Sequence, residues 1–356
     1  STTQTKGLAT VAKVKVLDSS SAKWITTVTY YDKKARPIYM YSKNDEVGTT
    51  DIIESKLDFS GKVLETKTTH AKGTNAPIVT IDSFEYDHVG RMTKQEQTIG
   101  NNTETIVANE YDELGQLKTK KVGGTLQEVD YTYNVRGWLK NINQDGKNDN
   151  DLFNFSINYN KPQNGATPLF NGNIAETSWN TLNTDTSTRS YSYEFDALNR
   201  LISATGNIDR YNLSSVTYDK NGNIKTLVRK GHLNVGATSF GTMDDLTYTY
   251  DNGNKLMRIS DGATIDQFGF KDDVLGSTVD TTDDYTYDAN GNMLTDTNKG
   301  ITSNITYNHL NLPVQINVDG QLINYTYDAS GAKLKKVSNG VTTEYAGGFR
   351  YVNNDL

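Results

Sequence analysis

The sequence predicts an all-β chain built from tandem antiparallel β-hairpins. Three observations predict it. A phrase of the form Tyr-x-Tyr-Asp-x-x-Gly-x-hydrophobe recurs along the chain. Tyr stands at 22 and Gly at 29 against only 5 Pro, which suits short strands joined by tight turns. No long stretch places apolar residues at helical spacing between caps, so little helix is expected.

The clearest copy runs from Asp284 to Leu294. Tyr285 and Tyr287 share one strand face and Thr286 takes the other, because side chains alternate across a strand. Asp288 opens a type I turn, where its carboxylate can accept the amides just ahead. Gly291 falls where the hairpin needs a left-handed residue, and the return strand starts at Met293. The same reading pairs Asp87 with Gly90, Asp112 with Gly115, Asn134 with Gly137, Asp219 with Gly222 and Asp328 with Gly331. Asn takes the glycine's place after Asp196 and Asp251 (Asn199 and Asn254), and Asn311 does so after Asn308. Asn is the other residue that tolerates the left-handed region. The strand tyrosines of these copies are Tyr86, Tyr111, Tyr131, Tyr133, Tyr218, Tyr250, Tyr285, Tyr287, Tyr325 and Tyr327. They are expected to be structural, stacking along the array with each hydroxyl reaching water or a neighbour.

Taken in order, Val11–Val16 alternates and predicts a strand. Trp24–Tyr31 predicts another, entering a turn at Asp32 in which Ala35 replaces the glycine. Pro37 marks the return strand as an edge or a bulge. Leu57–Leu64 is a copy with Leu in the Tyr position. Regular copies then run to Leu139. Between there and Tyr191 the rhythm breaks: Asn141–Asp151 reads as a loop, Leu152–Tyr159 as a strand, Lys161–Ala175 as turns, and Ala175–Asn180 as a short strand. From Tyr191 the repeat resumes to the end. The chain thus reads as one repeat region over 1–356, with a first block at 1–140, a repeat-breaking insertion at 141–190 and a second block at 191–356. Its start at Ser1 reads as the edge of a longer protein.

Net charge is −7 and the isoelectric point about 5.2, which disfavours nucleic acid or an anionic membrane as partner. No segment is apolar enough to insert into a membrane. With no Cys, the fold relies on no disulfide.

The Tyr-Asp-x-x-Gly phrase, repeated from about Trp24 to Tyr351, resembles the YD repeats of the RHS-repeat family. That family includes bacterial polymorphic toxins, toxin-complex subunits that cage a toxin, and teneurins. Trp24–Asp32, Asn171–Ile174 and Glu344–Phe349 resemble, more narrowly, the large secreted RHS proteins of Bacteroidota-type bacteria. The resemblance implies hairpins joined edge to edge into a spiralling β-strip, part of a shell around a C-terminal effector used in interbacterial competition. It implies a secreted or cell-surface location, with the chain's own effector domain and a type 9 secretion machine as partners. Neither a cleavage-site core nor a toxin domain is legible before Leu356. The alternative is an adhesin or stalk whose outer face binds glycans or a partner cell.

No residue pattern points to catalysis. An array of identical acids has no chemical rationale, whereas an array of turns needs one capping residue each. His70, His88, His232 and His309 lie in unrelated copies without metal spacing. Asn141–Leu152 has oxygen-bearing residues at alternate positions and a Gly at the sixth, but begins with Asn141 and ends on Leu152 where a calcium loop has a bidentate Glu. The expectation is therefore no enzyme activity, no metal and no cofactor.

Overall fold

The structure, a computed structural model, describes residues 7–17, 21–144, 151–182, 187–264, 267–274 and 281–356. Among them are 27 strands and one 3-10 turn, Thr297–Lys299. The chain is all-β, and within each sheet strands neighbouring in sequence pair antiparallel. The first nineteen strands belong to one hydrogen-bonded sheet, and the remaining eight form a two-stranded and a six-stranded sheet.

The hairpins follow from the repeat. In the hairpin of Ile78–Tyr86 and Met92–Ile99, Glu85 opposes Lys94 but Tyr86 opposes Met92, so one residue is skipped at the turn. The same one-residue bulge falls just before the tyrosine position at Tyr31, Tyr133, Phe195, Tyr218, Tyr250, Tyr287, Tyr307 and Tyr327. Pro37 sits opposite Tyr31 in such a bulge, where its missing N–H costs no ladder bond. Ala35 is left-handed at φ 62°, as are Asn199, Asn254 and Asn311 at φ 61°, 64° and 58°.

Residues 141–190 break the sequence rhythm but not the ladder. Leu139–Ile142 takes in the first residues read as loop and pairs with Phe153–Asn158. That strand pairs with Glu176–Thr181, which pairs with Arg189–Phe195. Residues 145–150 of the calcium-like stretch lie outside the described residues.

The chain divides into two compact units. One comprises Ser1–Asp112, Thr119–Glu128 and Ile305–Leu356; the other comprises Glu113–Lys118 and Val129–Asn304. The three blocks drawn from repeat rhythm are a division of the sequence, and the division by contacts cuts elsewhere. In the first unit, Val16, Val47, Leu334 and Ala346 form a buried cluster with Ile25 against it. In the second, Leu246, Ile259 and Tyr285 are the buried centre, flanked by Leu227, Tyr248, Phe270 and Met293 among others. There the strand Leu256–Asp261 ends the long sheet. Two carboxylates meet its outward amides: Asp284 accepts from Ile259 N–H (2.8 Å) and Asp272 from Asp261 N–H (2.6 Å).

Candidate functional site

Two arrangements recur or converge in this chain: the tie between successive hairpins, and a seam within the first unit.

The tie begins at the turn. Asp87 N–H donates to the Arg91 carbonyl and Gly90 N–H to the Asp87 carbonyl, closing the loop. The Asp87 carboxylate accepts the amides of Val89, Gly90 and Arg91 at 2.8–3.0 Å. Asp196, Asp219, Asp251, Asp288 and Asp328 hold their turns in the same way, and Asn134 and Asn308 do so with an amide oxygen. At Asp112 the turn amide Gly115 is again left-handed, φ 84°. Partial burial opposes ionisation of Asp87, but the amide and guanidinium of Arg91 outweigh it and hold the carboxyl at about 2. Asp196 is lowered by the Arg200 amide above all, and Asp219 and Asp288 by the side-chain amides of Asn223 and Asn292.

From there each hairpin reaches back. The hydroxyl of the tyrosine before the turn donates to the carbonyl that starts the previous return strand. Tyr86 reaches Val63, Tyr111 reaches Met92, Tyr133 reaches Leu117, Tyr218 reaches Leu201, Tyr287 reaches Leu256 and Tyr327 reaches Pro313, all at 2.6–3.1 Å. A seventh tie, Tyr159 to Leu139 at 3.1 Å, lies inside the stretch read as an insertion. A cation reinforces several of them. Arg91 holds Asp87 through Nε (2.6 Å) and lies over the Tyr111 ring at 4.4 Å. Arg200 does the same with Asp196 (2.7 Å) and Tyr218 (4.4 Å). Lys255 lies 5.5 Å over Tyr287. Successive hairpins are therefore joined through hydroxyls and cations. The other tyrosines of the copies pack differently: Tyr325 lies tilted beside Tyr327 at 6.3 Å, Tyr285 is buried in the second unit's core, and Tyr131 is half-buried; Tyr250, directly before its turn, is half-buried too. Burial pushes the Tyr285 hydroxyl up to about 12 against a hydrogen bond from Asn298, with the charges of Asp296 and Asp284 adding to the rise. Burial alone raises Tyr131, and burial with the charge of Asp219 raises Tyr250.

The seam joins the first sheet's strands to the six-stranded sheet. Val16 bridges Asp328, Leu17 N–H donates to the Tyr327 carbonyl (2.8 Å), and Ala329 N–H donates to the Lys15 carbonyl (2.7 Å). Over this backbone contact sits the Val16, Val47, Leu334 and Ala346 cluster. Polar groups flank it. His70, 1% exposed, places Nδ1 2.5 Å from the Asp51 carboxylate and Nε2 2.6 Å from the Tyr351 hydroxyl, with Phe349 stacked on the ring at 3.8 Å. Lys72 pairs with Glu344 and lies 4.1 Å over the Tyr351 ring. Glu46 is pushed up by burial, but Lys23 at 2.8 Å and Lys335, with which it also pairs, bring the carboxyl below its ordinary range.

The structure thus places the sequence-read turn residues on hairpin tips and does not gather them. His88 and His309 are exposed at tips. Asn143 is buried and engaged: its side chain accepts from Asp130 N–H (2.8 Å) and donates to the Phe153 carbonyl (2.9 Å). Among the described residues, no three His, Cys, Asp or Glu side chains are placed to hold a metal ion. Sequence reading missed the pairing of the seam residues Glu46, His70, Lys72, Glu344 and Tyr351, because their partners lie far apart along the chain. It also missed the cation after the left-handed residue, which a tally of the position following each left-handed Gly, Asn or Ala (Arg36, Lys62, Arg91, Arg200, Lys255) would have found.

Neither the protein-family models nor the curated protein sequences compared with the chain give a match. Solved structures do resemble it. The crystal structure of TcdB2-TccC3-TEV aligns with a TM-score of 0.53 at 14% identity, over 96% of this chain and 20% of that one. The Photorhabdus luminescens Tc holotoxin pore, carrying a TccC3 mutation, aligns at 0.52 and 15% identity, over 97% of this chain and 20% of that one. At this identity the likeness is one of fold, and the chain spans about a fifth of those structures.

Proposed function

We propose that this chain is a non-catalytic wall segment of a secreted β-shell that wraps and carries a C-terminal effector in interbacterial competition. The observation that carries the reading is the tie: seven hairpins bind the one before through the same hydroxyl-to-carbonyl contact. A hairpin alone is marginal in water, whereas tied neighbours cover each other's edges and make a continuous wall. The polar groups at the seam are paired with one another, which suits fastening. The likeness to Tc toxin chains supports the same architecture.

The partners in this reading are the chain's own effector domain and an export machine of the type 9 kind. Among the described residues no helix is long and apolar enough to cross a membrane. The test is protection. The full reading frame is expected to encode a toxin domain after Leu356, and that domain is expected to resist protease while the wall is intact and to be cut once the seam is broken by Leu334→Asp. A full-length protein whose C-terminal domain is equally exposed in both forms overturns the reading. A sorting domain with no toxin would favour the adhesin. Full-length protein held inside cells with an intact export pore would remove the type 9 partner.

A further inference from the structure

A cavity of about 510 Å³ in the second unit lies on the sheet formed by the strands Glu176–Thr181, Arg189–Phe195 and Leu201–Gly206. No hairpin tie uses its lining. Its volume falls within the range of small-molecule sites. The floor is aromatic. Trp179 stacks beside Tyr191 with centroids 5.6 Å apart and planes 15° apart, and Tyr193 continues the row at 6.3 Å. Gly206 lies directly opposite Tyr191, where a Cβ would come within 3.3 Å of the ring, so the missing side chain keeps that floor open.

The rim is polar and fixed. Tyr191 donates its hydroxyl to the Tyr211 carbonyl at 2.7 Å. Asn207 accepts from Ser190 N–H (3.0 Å) and donates to the Thr188 carbonyl (2.9 Å), locking the loop after the strand. Arg189 and Arg210 both line the cavity, Arg210 resting 4.8 Å over the Phe240 ring. Flat rings with polar groups around them suit the C–H face of a pyranose with hydroxyls at its edge. The guanidinium of Arg210 at the rim of a groove, in a chain with net charge −7, suits a carboxylate. A nucleic acid strand would need a longer track of cations than this groove holds.

We infer that this groove binds an acidic saccharide, a chain of pyranoses bearing carboxylates. The pyranose rings lie on Trp179 and Tyr191, and a carboxylate meets the guanidinium of Arg210. The inference does not depend on the wall reading, since no tie residue lines the groove and no seam residue does.

The test is calorimetric titration of the full chain with tetragalacturonate, beside the neutral maltotetraose and a short oligothymidylate. Saturable binding of tetragalacturonate is expected, weakened by added salt and at least tenfold tighter than maltotetraose. Trp179→Ala is expected to lose it, Trp179→Phe to keep part of it, and Arg210→Gln to weaken the acidic ligand about tenfold. Phe59→Ala, at a hairpin tip of the first unit, is expected to change nothing. The far-ultraviolet circular dichroism of each variant checks its fold, and Arg210→Gln and Trp179→Phe keep the test decisive if Trp179→Ala unfolds. No saturable heat at millimolar tetragalacturonate overturns the inference, as does equal binding of maltotetraose, tighter binding of oligothymidylate, or unchanged affinity in both Arg210→Gln and Trp179→Phe.

Discussion

Replacing Tyr287 by Phe removes one hydroxyl and leaves the ring in place. That hydroxyl donates to the Leu256 carbonyl at 2.6 Å. A neutral hydrogen bond of this kind contributes about 1 kcal/mol net, because the unfolded chain satisfies both groups with water. With a urea slope of about 3 kcal/mol/M, the midpoint falls by about 0.3 M. Tyr111→Phe removes the equivalent bond to Met92 and is expected to cost the same. The two sites share no partner, so the double variant falls by about 0.6 M. Seven such ties come to about 7 kcal/mol, comparable with the whole stability of an ordinary domain. A variant with all seven changed to Phe is expected not to fold. The assay is equilibrium urea unfolding followed by far-ultraviolet circular dichroism, with Tyr30→Phe as control because Tyr30 is 56% exposed. If the tie variants keep the wild-type midpoint, or the control falls as far as they do, the hydroxyls do not hold the array together.

The turn carboxyls make stability depend on acid. Asp87 is held at about 2, and Asp32, Asp196, Asp219 and Asp288 are lowered too. A depressed folded value means the contribution is complete above the unfolded value of about 3.9 and fades as pH falls toward the folded one. Unfolding midpoints should therefore hold steady above about pH 4.5 and drop between about pH 4 and pH 2, and Asp87→Asn should shallow that drop. Ala35→Gly relieves a left-handed Ala at φ 62° and should stabilise by about 1 kcal/mol, while Gly291→Ala, at φ 87° with open space around it, should cost about as much; both are read from urea midpoints. Leu334→Ala opens a cavity in the seam, where Leu334 is 4% exposed, and should cost about 2–5 kcal/mol. Limited proteolysis should then cut between the first sheet's strands and the last sheet sooner than in the wild type.

The turns were legible because their chemistry is complete within a few residues. Asp87, Gly90 and the tyrosine before them specify a bulged hairpin without help from elsewhere, and Asn199 takes the left-handed place of glycine for a reason visible in the residue itself. The seam was not legible. His70 meets Tyr351 across 281 positions, Lys72 meets Glu344 across 272, and Lys335 meets Glu46 across 289. Nothing local to Thr69-His70-Ala71 says that its imidazole will be stacked under Phe349. The tie at Tyr159 was hidden for another reason: the turn that follows it has drifted from the Asp-x-x-Gly form, and the phrase was read by its turn. Hydroxyl and carbonyl kept their places while the punctuation between them changed. The aromatic groove was missed because Trp179, Tyr191 and Tyr211 come from three segments that only strand pairing brings side by side.

Every tyrosine tie points backward, from a later hairpin to a carbonyl already laid down. A chain emerging from a ribosome or threading through an export pore N-terminus first therefore presents each new hairpin with its acceptor in place. In its tie, each hairpin along the row depends only on residues already delivered. Glu46, His70 and Lys72 run the other way. Their partners at Lys335, Glu344 and Tyr351 arrive last, so the early strands must stand with a charged, half-dressed flank until the final sheet comes down on them.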